Sequence, residues 1–539
     1  MTTGPAAAAP TTGLSHRQIL TILSGLLLGM FLAALDQTIV STAMRTIADR
    51  LHGQTAQAWV TTAYLVTSTV STPLYGKLSD LYGRRPFYLF AIGAFLVGSV
   101  LCGQAHSIYE LAAYRAIQGL GAGGLLSLAF AIVGDLVAPR ERAKYQAYFT
   151  SVFAASSVLG PVLGGFLAGQ NRLLGVDGWR WIFYLNVPIG LLAAYVVWRN
   201  LKLPRHSSQR KIDFLGAGLL TASVVPVLLV AEKGREWGWT SGLTLGLIAA
   251  SVLSLCAFLP RERKMGEDAI LPLRIFRDRV FSVTCAVAFL VGMVMFGGLV
   301  LMPLYLQIVK QETPTTAGLQ MVSFMFGLMG SSMIVGRIMQ RTGRYKIFPI
   351  FGTAIMFVAT LLFSTLSVDT PISQVMAYMV VMGIGLGLTM QMLVIAVQNA
   401  LPPQDMGLST SSVTFFRSMG GTLGAAVALA VLFGTVRGNI LERASQAHFP
   451  KPAMDAIRSV SLDNTATFAA LPDAAKRVVL MGFADSMRTV FLVVACVVVP
   501  AFIGTFFIKE VPLREEGGIA AQKSVETKGE EAMAETAIV

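Results

Sequence analysis

Charge is what this sequence has least of: 13% of its 539 residues are Asp, Glu, Lys or Arg, against about 25% in an average soluble protein. With 54% hydrophobic residues, that deficit excludes an ordinary soluble domain. Cysteine is scarce too. Cys102, Cys256, Cys285 and Cys496 lie far apart in apolar runs, which excludes a disulfide framework and a CxxC metal site. His16, His52, His106, His206 and His448 are scattered through loops and tails, so no metal site is expected. No phosphate-cradling GxxxxGK[ST] occurs, since Gly76-Lys77 is followed by Leu78. Aromatics make up 9%, so no low-complexity bias explains the hydropathy. Met1 to Ser15 has no basic stretch and the first apolar run contains Asp36, so a cleavable signal is not expected.

What is there is a series of apolar runs of about 20 residues, the length that crosses ~30 Å of hydrocarbon. They predict an all-α polytopic membrane protein with helices near 18–42, 57–76, 86–104, 108–134, 143–168, 182–199, 213–232, 241–259, 279–308, 316–336, 346–366, 372–398, 406–436 and 488–508. Loops after even-numbered spans hold clusters such as Lys77, Arg84 and Arg85, or Arg261, Arg263 and Lys264. The opposite loops hold few, such as Arg45, Arg50 and Lys310. Lys and Arg accumulate on the cytoplasmic side, so both termini are expected there, in the plasma membrane. The net charge of +13 belongs to these loops, and no nucleic-acid partner is expected. Residues 437–487 read as a polar loop on the outer side, and 509–539 as a disordered cytoplasmic tail.

The chain also repeats itself. Tyr114, Gly119, Gly121 and Gly123 match Tyr378, Gly383, Gly385 and Gly387 at an offset of 264, which also carries Pro139 onto Pro403 and Leu159-Gly160 onto Leu423-Gly424. Gly76, Gly83 and Arg84 recur as Gly336, Gly343 and Arg344. Internal repeats of this kind mark transporters with the binding site between the halves. The organisation read from them is a tail to residue 17, a six-helix bundle over 18–199, a linker with two inserted helices over 200–278, and a second bundle over 279–508.

Several segments now resemble one family. Gly76-Lys77-Leu78-Ser79-Asp80-Leu81-Tyr82-Gly83-Arg84-Arg85 is similar to the loop 2–3 signature of the major facilitator superfamily. Leu111 to Gly121, with Arg115 and Gln118, resembles its span-4 motif, and Gly160-Pro161-Val162-Leu163-Gly164-Gly165 its antiporter motif in span 5. Leu35-Asp36-Gln37, Trp59 to Tyr64, and Trp179 to Pro188 resemble signatures of its 14-helix drug:proton antiporters, the EmrB/QacA type. The resemblance implies a major facilitator fold of two six-helix bundles plus two inserted helices. It also implies proton-coupled export of hydrophobic small molecules by alternating access, as a monomer without cofactor.

The residues carry physical readings of their own. Gly76, Asp80, Gly83, Arg84 and Arg85, with Gly336, Gly343 and Arg344, are candidates for gating; Asp80 is placed to cap a helix end or pair with Arg84. Gly160, Pro161, Gly164 and Gly165 suit close helix packing with a kink. Ionisable side chains inside spans cost at least ~2.5–3.5 kcal/mol on insertion scales, which singles out Asp36, Arg115 and Arg417. At 1.5 Å per residue, Asp36 lies roughly 24 Å above the inner edge and Arg115 about 10 Å below the outer edge, so a pair is feasible. It is either a static ion pair or the proton-coupling site. Arg417 either meets an anionic or lipid-like substrate or hydrogen-bonds Gln391 or Gln398. Trp59, Tyr64, Gln118, Phe326, Gln391 and Arg417 are candidates for the cavity wall. The methionines between Met293 and Met392 read mostly as lipid-facing filler. An intramembrane enzyme would need a nucleophile near a buried base, and no His lies in a span, so no catalytic residue is expected.

Overall fold

Fourteen long helices account for most of the described residues of the computed structural model, which are 16–53, 56–201, 213–446, 454 and 472–513. They are α1 (His16–Arg50), α2 (Gln57–Tyr82), α3 (Arg84–Gln104), α4 (Ile108–Leu136), α5 (Pro139–Gly169), α6 (Asn186–Asn200), α7 (Phe214–Trp237) and α8 (Gly242–Met265) in the first part. Then follow α9 (Arg279–Leu304), α10 (Val322–Thr342), α11 (Ile347–Phe363), α12 (Ile372–Ala400), α13 (Met406–Gln446) and α14 (Asp473–Phe507). Short helices, Trp181–Tyr184 and Pro314–Gln320, lead into α6 and α10. Twelve membrane-length apolar helices are found among the described residues. The other two are α11, which is shorter at 17 residues, and α2, which is diluted by Thr61, Thr62, Thr67, Ser68, Thr69, Ser71 and Thr72.

Local chemistry starts and stops these helices. Ser107 accepts from the amide of Glu110, whose carboxylate accepts from the amide of His106, a reciprocal cap on α4. Asp278 caps α9 through the Phe281 amide, and Pro139 opens α5. Gly343 ends α10 with φ +69°, a conformation that only glycine adopts without strain. Between α5 and α6 a two-residue hairpin, β1 (Arg172–Leu173) with β2 (Val176–Asp177), pairs Arg172 with Asp177 and Leu173 with Val176.

The repeat read from sequence is a packing repeat. A Cβ on Gly119 would come within 2.5 Å of the Tyr64 carbonyl of α2, and one on Gly383 within 2.2 Å of the Phe324 carbonyl of α10. Gly121 and Gly385 approach the backbones of α3 and α11 in the same way. In a bilayer, where apolar burial between helices gains little, such close backbone contact supplies much of the attraction. Thus α4 packs on α2 and α3 as α12 packs on α10 and α11, and α9 lies along α13. The halves meet along two seams, α2 with α13 and α5 with α10.

The inserted helices occupy one of these seams. Helix α7 packs on both α2 and α13, and α8 packs mainly on α7. Trp237 of α7 lies 6.1 Å from Trp59 of α2, and the Lys233 ammonium 5.6 Å from the same ring. At the other end Asp213 caps α7 through the Gly216 amide and takes Arg261 of α8 at 2.9 Å. Asp213→Ala removes the cap on α7, so a loss of about 1 kcal/mol is expected. A lower melting temperature in detergent, with transport retained, would check this.

Two sequence expectations change here. Most of the segment read as a polar loop over 437–487 is helical wherever it is described: α13 runs on to Gln446 and α14 begins at Asp473. Ile440, Ala444, Ala475, Val479 and Phe483 form their buried face, and Arg443 pairs with Asp485 on the exposed one at 2.8 Å. Residues 447–453 and 455–471, the tails, and the basic stretch 202–212 lie outside the described residues. Most of these methionines are not lipid-facing filler: Met379, Met382 and Met392 are buried in the C-terminal core and Met295, Met321, Met325 and Met390 pack against it, whereas Met333 is exposed.

Candidate functional site

One buried polar cluster lies inside the N-terminal half. Asp36 of α1 and Arg115 of α4 form a direct ion pair, 0% and 1% exposed. Asp36 Oδ1 accepts from Gln118 Nε2 at 2.8 Å and from Asn186 Nδ2 at 2.9 Å. Arg115 also donates to Gln118 Oε1 at 2.8 Å, and its guanidinium carbon sits 4.0 Å over the Tyr64 ring. Ser99 of α3 accepts from both Gln118 and Asn186. Five helices therefore contribute to one cluster around the Asp36 carboxylate. The paired depth read from sequence holds, and Gln118 and Tyr64 belong to this cluster rather than to an open wall. Asn186 and Ser99 were not singled out; the Trp179–Pro188 signature contained Asn186, but nothing in it tied that residue to Asp36.

The antiporter-type motif lies directly beside this cluster. A Cβ on Gly160 would stand 2.0 Å from Thr38 Oγ1, and one on Gly164 2.8 Å from the Ile39 carbonyl. Thr38 donates to the Ser156 carbonyl at 3.0 Å. The two glycines thus let α5 lie against α1 within a turn of Asp36. Elsewhere on α5, a Cβ on Gly318 of the other half would stand 3.7 Å from Pro161 Cγ, while one on Gly165 would meet nothing within 4 Å.

A second cluster closes the halves at the face where α1 begins, which is also the face richest in Lys and Arg. Asp80, at the end of α2, accepts from the amides of Gly407 at 3.0 Å and Leu408 at 2.7 Å. These are first-turn amides of α13, which have no partner within their own helix and carry the positive end of its dipole. Asp80 also pairs with Arg84, which donates to Asp135 of α4 at 2.7 Å. Arg142 of α5 donates to Gln398 of α12 at 2.9 Å, and Gln398 donates to Thr410 at 2.8 Å. Deeper in, Gln391 donates to Thr150 across the same interface at 3.4 Å. Asp80 both caps a helix and pairs with Arg84, but the helix belongs to the other half, 327 residues away. Arg85 turns aside to the carbonyl and ring of Trp198.

The repeated loop does not mirror this latch. Gln340 stands where the first half has Asp80, and Arg344 is exposed, bonded to no described residue of the N-terminal half. Gly336 is buried and Gly343 ends α10. Nor do the six cavity candidates form one wall. Trp59 is drawn to α7, and Phe326 is 72% exposed on α10. Arg417 is half-buried and makes no bond to Gln391 or Gln398; Gln398 is held by Arg142 and Thr410, and the Gln391 amide nitrogen by Thr150. No described residue gives its guanidinium a hydrogen bond or a carboxylate.

Comparison with known proteins agrees with this architecture. The family profile for the Major Facilitator Superfamily matches residues 26–425. Multidrug resistance protein 3 of Bacillus subtilis (strain 168) is 34% identical over 90% of this chain and 94% of its own length. The multidrug transporter protein MdtP of the same strain is 34% identical over 78% of this chain and 76% of its own. The proton:xylose symporter XylE superposes with a TM-score of 0.60 over 95% of this chain and 99% of its own, at 16% identity, a likeness of fold alone. The chain belongs to the major facilitator superfamily, and it is a membrane transporter.

Proposed function

We propose that the protein is a proton-coupled antiporter that exports hydrophobic small molecules across the cytoplasmic membrane by alternating access. The observation that carries this reading is the buried carboxylate of Asp36, held in the N-terminal half by Arg115, Gln118 and Asn186. A structural ion pair needs no amide bridge to two further helices, whereas a titrating carboxyl needs its alternatives close by. The relatives named for multidrug transport support the cargo class. By the excess of Lys and Arg the face closed by Asp80 is cytoplasmic, so the arrangement corresponds to a state closed to the cytoplasm. Protonation of Asp36 weakens its hold on Arg115; α5, packed on α1 and on α10, is the path by which that change reaches the other half. The electrical part of the gradient contributes about 2.3 kcal/mol per charge per 100 mV.

The direct test is purified protein in liposomes with an imposed pH gradient, assayed against cationic, neutral and anionic compounds. Transport should follow the gradient and stop when a protonophore collapses it; transport indifferent to the gradient would sink the reading.

A second cargo class is favoured by Arg417. An unpaired guanidinium inside a span offers a bidentate partner to an anionic or lipid-like head group. On that reading Arg417→Lys weakens anionic cargo and spares cationic dyes, and Arg417→Ala is worse for anions. Equal damage to every substrate, with lower thermal stability, would leave Arg417 a structural residue.

A further inference from the structure

The Asp36 carboxylate is surrounded by donors alone. Gln118 and Asn186 donate to one oxygen and Arg115 to the other. That arrangement suits an ionised carboxylate, which only accepts; a protonated one must also donate. Gln118 is not placed to receive that proton, because its Oε1 already accepts from Arg115 at 2.8 Å and lies 3.7 Å from the Cys102 thiol. Asn186 differs. Its Oδ1 is buried and has no hydrogen-bond partner among the described residues. Its Nδ2 is shared between Asp36 at 2.9 Å and Ser99 at 3.2 Å. Half a turn about χ2 brings Oδ1 to face Asp36; it gives up the longer bond to Ser99, whose hydroxyl donates to the Phe95 carbonyl at 2.9 Å, and Nδ2 takes the unpaired position.

We propose that Asn186 is a positioning residue that follows Asp36 through both of its charge states, as an N–H donor to the carboxylate and as a C=O acceptor from the protonated carboxyl. This rests on the reading of Asp36 as the proton site and deepens it. The other charged or titratable groups facing Asp36 are Arg115 from α4, Tyr64 from α2 and Cys102 from α3. Tyr64 donates to the Ala33 carbonyl at 3.3 Å and Cys102 to Gln118, so neither is free to take the role. Helix α5 meets α1 here through Ser156 and Gly160, which do not titrate. Asn186 opens α6, a helix packed on α1 and α3, so its rotation is felt where the helices of this half join.

Infrared difference spectroscopy of the full-length protein in lipid, titrated with pH, tests this without a transport assay. The carboxyl band is assigned by its loss in Asp36→Asn, and the side-chain amide band by its loss in Asn186→Leu. In the wild type both should change with one midpoint. In Asn186→Leu the carboxyl midpoint should rise by about half a pH unit or more, because a hydrogen bond to a charged group is the stronger one to lose. Asn186→Ser, which keeps a small donor and acceptor, should move it less, and with the wild-type amide band it carries the test if the Leu variant does not fold. An amide band that stays constant while the carboxyl titrates, or a midpoint unmoved in both variants, would overturn the proposal and leave Asn186 a packing residue. If no band removed by Asp36→Asn titrates at all, Asp36 is not the proton site, and both readings fall together.

Discussion

Asp36→Asn is expected to leave the protein folded and inserted while reducing pH-gradient-driven transport to background. The substitution is nearly isosteric, so packing at a fully buried position is preserved. Removing one partner of a buried ion pair costs about 3–5 kcal/mol when the other charge is left bare. Arg115 is not left bare, because Gln118 Oε1 and the Tyr64 ring remain at 2.8 Å and 4.0 Å. The loss of stability should therefore fall below that range. What Asn does not supply is a proton that comes and goes. Asp36→Glu keeps the titrating group but adds a methylene to a filled site, which costs about 1–3 kcal/mol, so it should retain part of the gradient-driven activity. The paired measurement is transport with and without the gradient, alongside a melting curve in detergent. Wild-type coupling in Asp36→Asn would place the proton site elsewhere, and the described residues offer no second acid buried in the middle of a span.

Much of this site was legible in the sequence because membranes make charge expensive. An Asp and an Arg in apolar runs at matching depth are few enough to be paired by arithmetic, and Asp36 and Arg115 do meet. The spans were legible for the same reason, and the glycine repeat because helix contact in lipid demands small residues at fixed spacing. What the chain did not disclose is through-space. Asp80 announces a cap, but nothing near it says that the capped helix starts at Met406. Asp135, Arg142 and Gln398 look like residues of span ends until the halves are brought together. Arg344 sits in a loop that copies the first half in its glycines, yet Gln340 replaces the acid that makes the latch. The extension of α13 and α14 beyond the apolar windows was hidden because a hydropathy scan averages over both faces. Ile440 and Ala444, spaced by four and buried like Ala475 and Val479, show an amphipathic pattern that such averaging removes.

Closing the latch at Asp80 should be more sensitive to Gly76 than to any charge within it. A Cβ at Gly76 would lie 1.9 Å from Ser411 Oγ, 2.5 Å from Ser411 Cβ and 2.8 Å from the Gly407 carbonyl. The hydroxyl can rotate away, but the Ser411 Cβ and the carbonyl are fixed by α13, so α2 and α13 must move apart. Gly407 stands under the same restriction, since a Cβ there would meet Arg84 Nη1 at 2.2 Å and Asp80 Oδ1 at 2.5 Å. Separation also draws Asp80 away from the Gly407 and Leu408 amides that it caps. A state in which the halves part at this face feels none of this. Overpacking of about 1–3 kcal/mol, applied to one state alone, moves a two-state equilibrium roughly 5–150-fold. Gly76→Ala should therefore slow transport and Gly76→Val abolish it, with little change in melting temperature, while Gly93→Ala, where a Cβ meets nothing within 4 Å, has no effect. A cysteine pair at Thr150 and Gln391, in a background without the exposed Cys256 and Cys496, reports the closed state by cross-linking. Cross-linking should fall in the order wild type, Gly76→Ala, Gly76→Val. If both variants cross-link and transport as the wild type does, the approach of α2 to α13 at Gly76 is not what closes this face. The closure would then rest on Arg142 and Gln398 instead.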